Sequence, residues 1–150
     1  MRIGVISDTH GLLRPEVLRA FAGVDHILHS GDIGGAQVLE ELRAIAPVTA
    51  CAGNVDGFRC GDARKTARIA LGGTRFLLVH IRDQATRELS REPADAVIFG
   101  HSHQPLLQRI DGVLWFNPGS AGPRRFRLPV SVGLLEKRRG EWRARHLTFQ

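Results

Sequence analysis

The chain has 150 residues, 43% of them hydrophobic and 24% charged, close to globular averages and against disorder. A chain of this length buries roughly 68–70% of its unfolded surface, so no metal or disulfide is needed merely to fold it, and one domain spanning 1–150 is expected. No apolar run reaches the ~18 residues of a membrane span, and Cys51 and Cys60 are too few for a disulfide framework, so a cytoplasmic, membrane-free setting is expected. The formal charge of +6 favours anionic partners without choosing among them.

In chain order, Ile3–Ile6 reads as a strand and Pro15–Phe21 as a helix opened by proline. His26–Leu28 is strand-like, Val38, Leu39, Leu42 and Ile45 follow helical spacing up to Pro47, and Val48–Ala52 is a third strand. Thr74–Val79 gives a fourth strand of the buried type. Asp83–Ser90 gives a weaker helix, and Ala96–Phe99 a fifth strand. Leu106–Ile110 and Val113–Phe116 flank the hairpin signal Asp111-Gly112, and Val130–Glu136 and Trp142–Phe149 flank Lys137–Gly140. An alternating α/β part is thus followed by a mostly antiparallel part. The reading is one compact α/β domain with two sheets and helices outside.

The chemistry lies at the strand ends. The five strands of the first hundred residues run into Ser7-Asp8-Thr9-His10, Ser30-Gly31-Asp32, Gly53-Asn54-Val55-Asp56, His80 and Gly100-His101-Ser102-His103. In α/β sheets, sites form beyond the carboxyl ends of strands, so these side chains should converge. Asp8, His10, Asp32, Asn54, His80, His101 and His103 exceed what one tetrahedral ion takes, and suit two ions sharing a carboxylate. Mixed imidazole and oxygen donors favour manganese, iron, zinc or nickel. In extended backbone, Asp8 and His10, and likewise His101 and His103, would point the same way. Gly31, Gly53 and Gly100 are expected where backbone must approach closely. Each residue has a plainer reading: Asp8 and Asp32 as turn or cap residues, Asn54 as a turn residue, the histidines as loop residues. Asp56 and His29 read as structural, Cys51 as an inert buried thiol.

Asp8-x-His10, Gly31-Asp32, Gly53-Asn54, His80 and Gly100-His101-x-His103 occur in the order that resembles calcineurin-like metallophosphoesterases. Asn117-Pro118-Gly119-Ser120 resembles their small single-domain phosphodiesterase branch. The resemblance implies a four-layer sandwich of two packed mixed β-sheets flanked by helices. It implies one ion on Asp8, His10, Asp32 and His103 and a second on Asp32, Asn54, His80 and His101, with Asp32, Asn54 and His101 carrying catalysis. The ions would be two divalent transition metals, manganese first, with nickel, iron or zinc as alternatives. The implied reaction is in-line attack on a phosphate diester by a hydroxide bridging the two metals.

Two positions depart from the pattern. Val55 stands where many larger relatives carry a proton-donating histidine, which favours diesters with acidic leaving groups. Ile81 stands where the family usually has glycine, and is expected to narrow the pocket or tilt His80. Arg124 and Arg125 are candidates for gripping substrate phosphate. Small phosphodiesters, nucleotides and nucleic acid all fit as substrate, and monomer and homo-oligomer stay open. The alternative reading is a non-catalytic interaction scaffold of the same fold, like the retromer scaffold subunit. A nucleic-acid binder without catalysis would show salt-dependent binding that survives metal removal.

Overall fold

The computed structural model describes residues 1–56 and 64–150. Cys60 lies outside the described residues. The elements are β1 (Arg2–Ile6), α1 (Pro15–Ala20), β2 (His26–His29), α2 (Ala36–Arg43), β3 (Val48–Ala50), β4 (Thr66–Leu71), β5 (Thr74–Val79), α3 (Gln84–Arg91), β6 (Ala96–Ile98), β7 (Leu106–Ile110), β8 (Val113–Asn117), β9 (Val130–Arg138) and β10 (Glu141–Phe149). They build two five-stranded sheets, ordered β10-β9-β1-β2-β3 and β4-β5-β6-β8-β7. Each is mixed: β1, β2 and β3 are parallel beside antiparallel β9 and β10, and β5, β6 and β8 are parallel between antiparallel β4 and β7.

Strand alternation explains the layers. Ile3, Val5, Leu28 and Cys51 point to the inner face of the first sheet, against Phe76, Leu78, Ala96, Ile98, Leu114 and Phe116 of the second. Between them, Gly4 points outward: a Cβ there would meet the Phe21 ring at 2.9 Å. Ile6, Ile27, Val132 and Leu134 form the outer face of that sheet, covered by Val17 and Phe21 and by Val38, Leu39 and Leu42 of α2. Leu77, Val79 and Val97 face outward from the second sheet and meet Ala85 and Leu89 of α3. The order is therefore helices, sheet, sheet, helix, the expected four layers. Each large side chain in these layers contributes roughly 1.5–3 kcal/mol by leaving water.

Two features differ from the sequence reading. The parallel and antiparallel parts do not segregate, because β8 pairs parallel with β6 and β9 pairs with β1, so both sheets draw strands from both parts of the chain. The sequence reading also has no strand between Ala52 and Thr74, yet β4 pairs with β5 along its length from Thr66↔Val79 to Leu71↔Thr74. The turn is Gly72-Gly73, with φ of +56° and +79°, a hairpin signal. Only the sheet edge and partial burial weaken the alternation in β4.

Candidate metal centre

Five strands end around one point. Asp8, His10 and His103 bring ligand atoms within 4.8 Å of one another, and so do Asp32, His80 and His101. The two groups touch. His10 Nε2 lies 3.6 Å and His80 Nε2 3.1 Å from the same Asp32 Oδ2, while Asp8 Oδ1 lies 3.3 Å from His103 Nε2 and 3.8 Å from His80 Nε2. Asp32 thus stands between the groups. Asn54 sits in the turn after β3, in the wall of a cavity of about 370 Å³ that also holds His80, Lys65 and Gln84.

The backbone there is strained. Asp8, His10, Asp32, His101 and His103 all have positive φ, between +47° and +72°. A non-glycine residue in this region costs roughly 1–2 kcal/mol, and such strain gathers at functional sites. Neither i, i+2 pair is therefore extended, although Asp8 and His10 still fall in one group. His101 and His103 point to different groups, because each occupies a tight turn. Close approach holds the turns together: a Cβ on Gly100 would run into Ser7 Oγ and Asp8 Oδ2, and one on Gly53 into Asp32.

The donors are aimed by neighbours. Asp8 Oδ2 accepts from Ser7 Oγ at 2.8 Å and from the His101 N–H at 3.1 Å, leaving Oδ1 bare. His80 Nδ1 lies 2.8 Å from the Ser30 carbonyl. A carbonyl only accepts, so Nδ1 carries the proton and Nε2 of the neutral ring offers its lone pair, as a metal-binding histidine does. The Ile81 side chain turns into the wall of a second cavity, of about 330 Å³, beside His101, while His80 stays anchored to Ser30.

Burial pushes the Asp32 carboxyl up, but the His80 ring, the Val55 N–H and the charges of His80 and His10 outweigh it and hold Asp32 well below the usual range. Burial lowers the His80 value, and the contacts with Asp32 and Asp8 more than offset this and raise it. The two carboxylates thus favour positive charge at the place where a metal cation would sit.

Among the described residues, three buried atoms that face the centre, Asp8 Oδ1, His10 Nε2 and His80 Nε2, have no hydrogen-bond partner. Buried polar atoms without partners are costly, and a divalent cation satisfies such donors at once. The donor set of imidazole and carboxylate fits transition metals.

The residues read as structural are frame. Asp56 accepts from the N–H groups of Ile33, Gly34 and Gly53 at 2.8–3.0 Å, tying the Asp32 turn to the Asn54 turn. His29 Nδ1 accepts from Gly31 N–H, so its Nε2–H faces Thr9 Oγ1, which donates to the Ile33 carbonyl. Burial lowers His29 to about 4 and keeps it neutral. The Asn117-Pro118-Gly119-Ser120 segment braces the site: Asn117 Nδ2 donates to the Gly100 carbonyl and Ser120 Oγ to that of Asp8. The sequence reading gives Ser7 and Ser30 no role, and reaches Asn117 only as part of the Asn117-Pro118-Gly119-Ser120 motif. Arg124 and Arg125 are exposed, and Arg124 donates to the Phe149 carbonyl at 3.5 Å.

A calcineurin-like phosphoesterase superfamily domain model matches residues 1–140. The chain belongs to that superfamily. A metallophosphoesterase of Methanothermobacter thermautotrophicus, named as probable, is 37% identical over 132 residues, covering 80% of this chain and 77% of its own. A phosphodiesterase of Methanocaldococcus jannaschii is 28% identical over 163 residues, covering 95% and 97%. The solved structure of an archaeal phosphodiesterase superposes with a TM-score of 0.80 at 26% identity, over 98% of this chain and all of that one. Vps29 from Entamoeba histolytica, solved with zinc, shares the fold at a TM-score of 0.76 and 23% identity over both full chains. As a calcineurin-like phosphoesterase the chain is expected to use divalent metal, and its clustered donors fit that need. Among the described residues no helix is long and apolar enough to cross a membrane.

Proposed function

We propose that this phosphoesterase is a binuclear-metal phosphodiesterase that hydrolyses phosphate diesters with water. The carrying observation is the pair of adjoining three-ligand groups with Asp32 Oδ2 between them. One ion would be held by Asp8, His10, Asp32 and His103, the other by Asp32, Asn54, His80 and His101, and manganese would be the preferred metal. When bound, the two ions supply Lewis acidity toward water and the phosphoryl oxygens.

The protein groups do the positioning. Ser7 and the His101 N–H turn Asp8 so that Oδ1 faces the centre, and Ser30 fixes the His80 tautomer. Val55 N–H holds Asp32 Oδ1 at 3.1 Å, leaving Oδ2 for the shared position. The substrate enters from the second group, where Asn54 and His101 are exposed and a cavity opens on either side of His80–Ile81. The Val55 side chain is exposed and cannot transfer a proton, so leaving groups that need no protonation are favoured. The working environment is the cytoplasm.

The test is hydrolysis of bis(p-nitrophenyl) phosphate by metal-stripped protein with and without added manganese. Manganese-dependent turnover is expected. Absence of turnover with manganese, nickel, iron and zinc alike would reject catalysis and favour a scaffold role, the reading that the fold shared with Vps29 would then support.

A further inference from the structure

The loop after Ser120 carries a surface that the metal centre does not use. From Gly112 to Leu135 there is no acidic residue, while Arg124, Arg125 and Arg127 crowd around Phe126. Phe126 is 94% exposed, against 52% for Val55, the next most exposed large hydrophobic residue described. Its φ is +52°, so the chain accepts both backbone strain and a ring in water at one position. Among the described residues no carboxylate pairs with any of these three arginines. The turn is closed by the Leu128 N–H on the Arg125 carbonyl at 3.1 Å.

The base of this loop is fastened to the metal centre. Ala121 N–H donates to the Ser7 carbonyl at 3.0 Å, Ser120 Oγ to that of Asp8 at 3.2 Å, and Arg14 Nη2 to that of Gly122 at 3.1 Å. The root of the loop is therefore fixed beside the turn that carries Asp8.

We propose that this loop grips single-stranded nucleic acid, with a base stacked on Phe126 and backbone phosphates paired by Arg124, Arg125 and Arg127. Every base offers a π-face, so one exposed ring serves many sequences. Guanidinium forks suit phosphate oxygens, and three within four positions, none paired with a carboxylate among the described residues and only Arg124 lent to a backbone carbonyl, match the charge spacing of a polyanion better than that of a single ion. An anionic membrane fits less well, because one ring gives too little apolar area to anchor a surface. The binding claim stands on the loop alone; that the bound strand is also the diester substrate rests on the phosphodiesterase reading.

The test is fluorescence anisotropy of labelled oligo-dT and oligo-U, each about 20 nucleotides, with metal-stripped protein in EDTA, where no cleavage intrudes. With three phosphate contacts, log affinity should fall against log salt with a slope of about −2. Phe126→Ala should weaken binding about tenfold and leave that slope intact. The Arg125→Ala/Arg127→Ala pair should flatten it by about 1.4. The preferred oligonucleotide tells whether DNA or RNA is the ligand. No binding of either at low salt, binding that neither variant alters, or capture of phosphatidylserine vesicles without oligonucleotide overturns the proposal. Binding without turnover of bis(p-nitrophenyl) phosphate would reject the phosphodiesterase reading and leave the loop's role standing.

Discussion

The two donor groups of the candidate metal centre, one half each of the proposed two-ion site, are built differently. Asp8 and His103 are buried and His10 nearly so, with the Asp8 carboxylate held by Ser7 and by the His101 backbone. In the other half Asp32 and His80 are buried, but His101 and Asn54 are exposed beside open cavities. A site enclosed by protein loses less order on taking an ion, because its donors are already fixed; an open one exchanges ligands with solvent and substrate more readily. The enclosed half should therefore hold its ion more tightly, and the open half should receive the phosphate.

The largest expected effect comes from the residue both halves share. Asp32→Ala removes the oxygen standing between His10 and His80 and should lower turnover of bis(p-nitrophenyl) phosphate by at least about 10³-fold, on the scale of losing a major electrostatic stabiliser. Retained activity would show that the halves do not work through a common ligand. A smaller effect tests the frame beneath them. His29 is neutral in the folded protein down to about 4, whereas an unfolded histidine binds its proton near 6.5. Between these values the unfolded state holds the extra proton, so stability falls as pH drops from about 6.5 toward 4, by about 3 kcal/mol at most. His29→Gln should remove this component from the pH dependence of urea unfolding of the metal-free protein, and an unchanged profile would contradict a neutral buried ring.

What the sequence disclosed depended on how local the signal was. Hairpins such as Asp111-Gly112 are written in adjacent residues, and the left-handed Asp111 lies in the turn itself. The strand-end donors were legible as a set because chain order and strand direction bring them to one end of the molecule. Their geometry was not. Left-handed backbone at Asp8, His10 and Asp32 follows from packing among loops far apart in sequence. The contacts of Gly100 with Ser7 and of Gly53 with Asp32 are long-range for the same reason. The Ser30 carbonyl that fixes the His80 tautomer is a backbone group, and every residue has one. Strand β4 was missed although Gly72-Gly73 announced its turn, because partial burial at a sheet edge blurs the alternation that marks a strand.

The most direct measurement is calorimetric titration of manganese into the metal-stripped protein. Two ions per chain with distinct affinities are expected, the weaker step being lost in His101→Ala and the tighter one in His103→Ala. A single site, or two steps that both variants leave alone, would contradict a two-ion centre made of one enclosed and one open half.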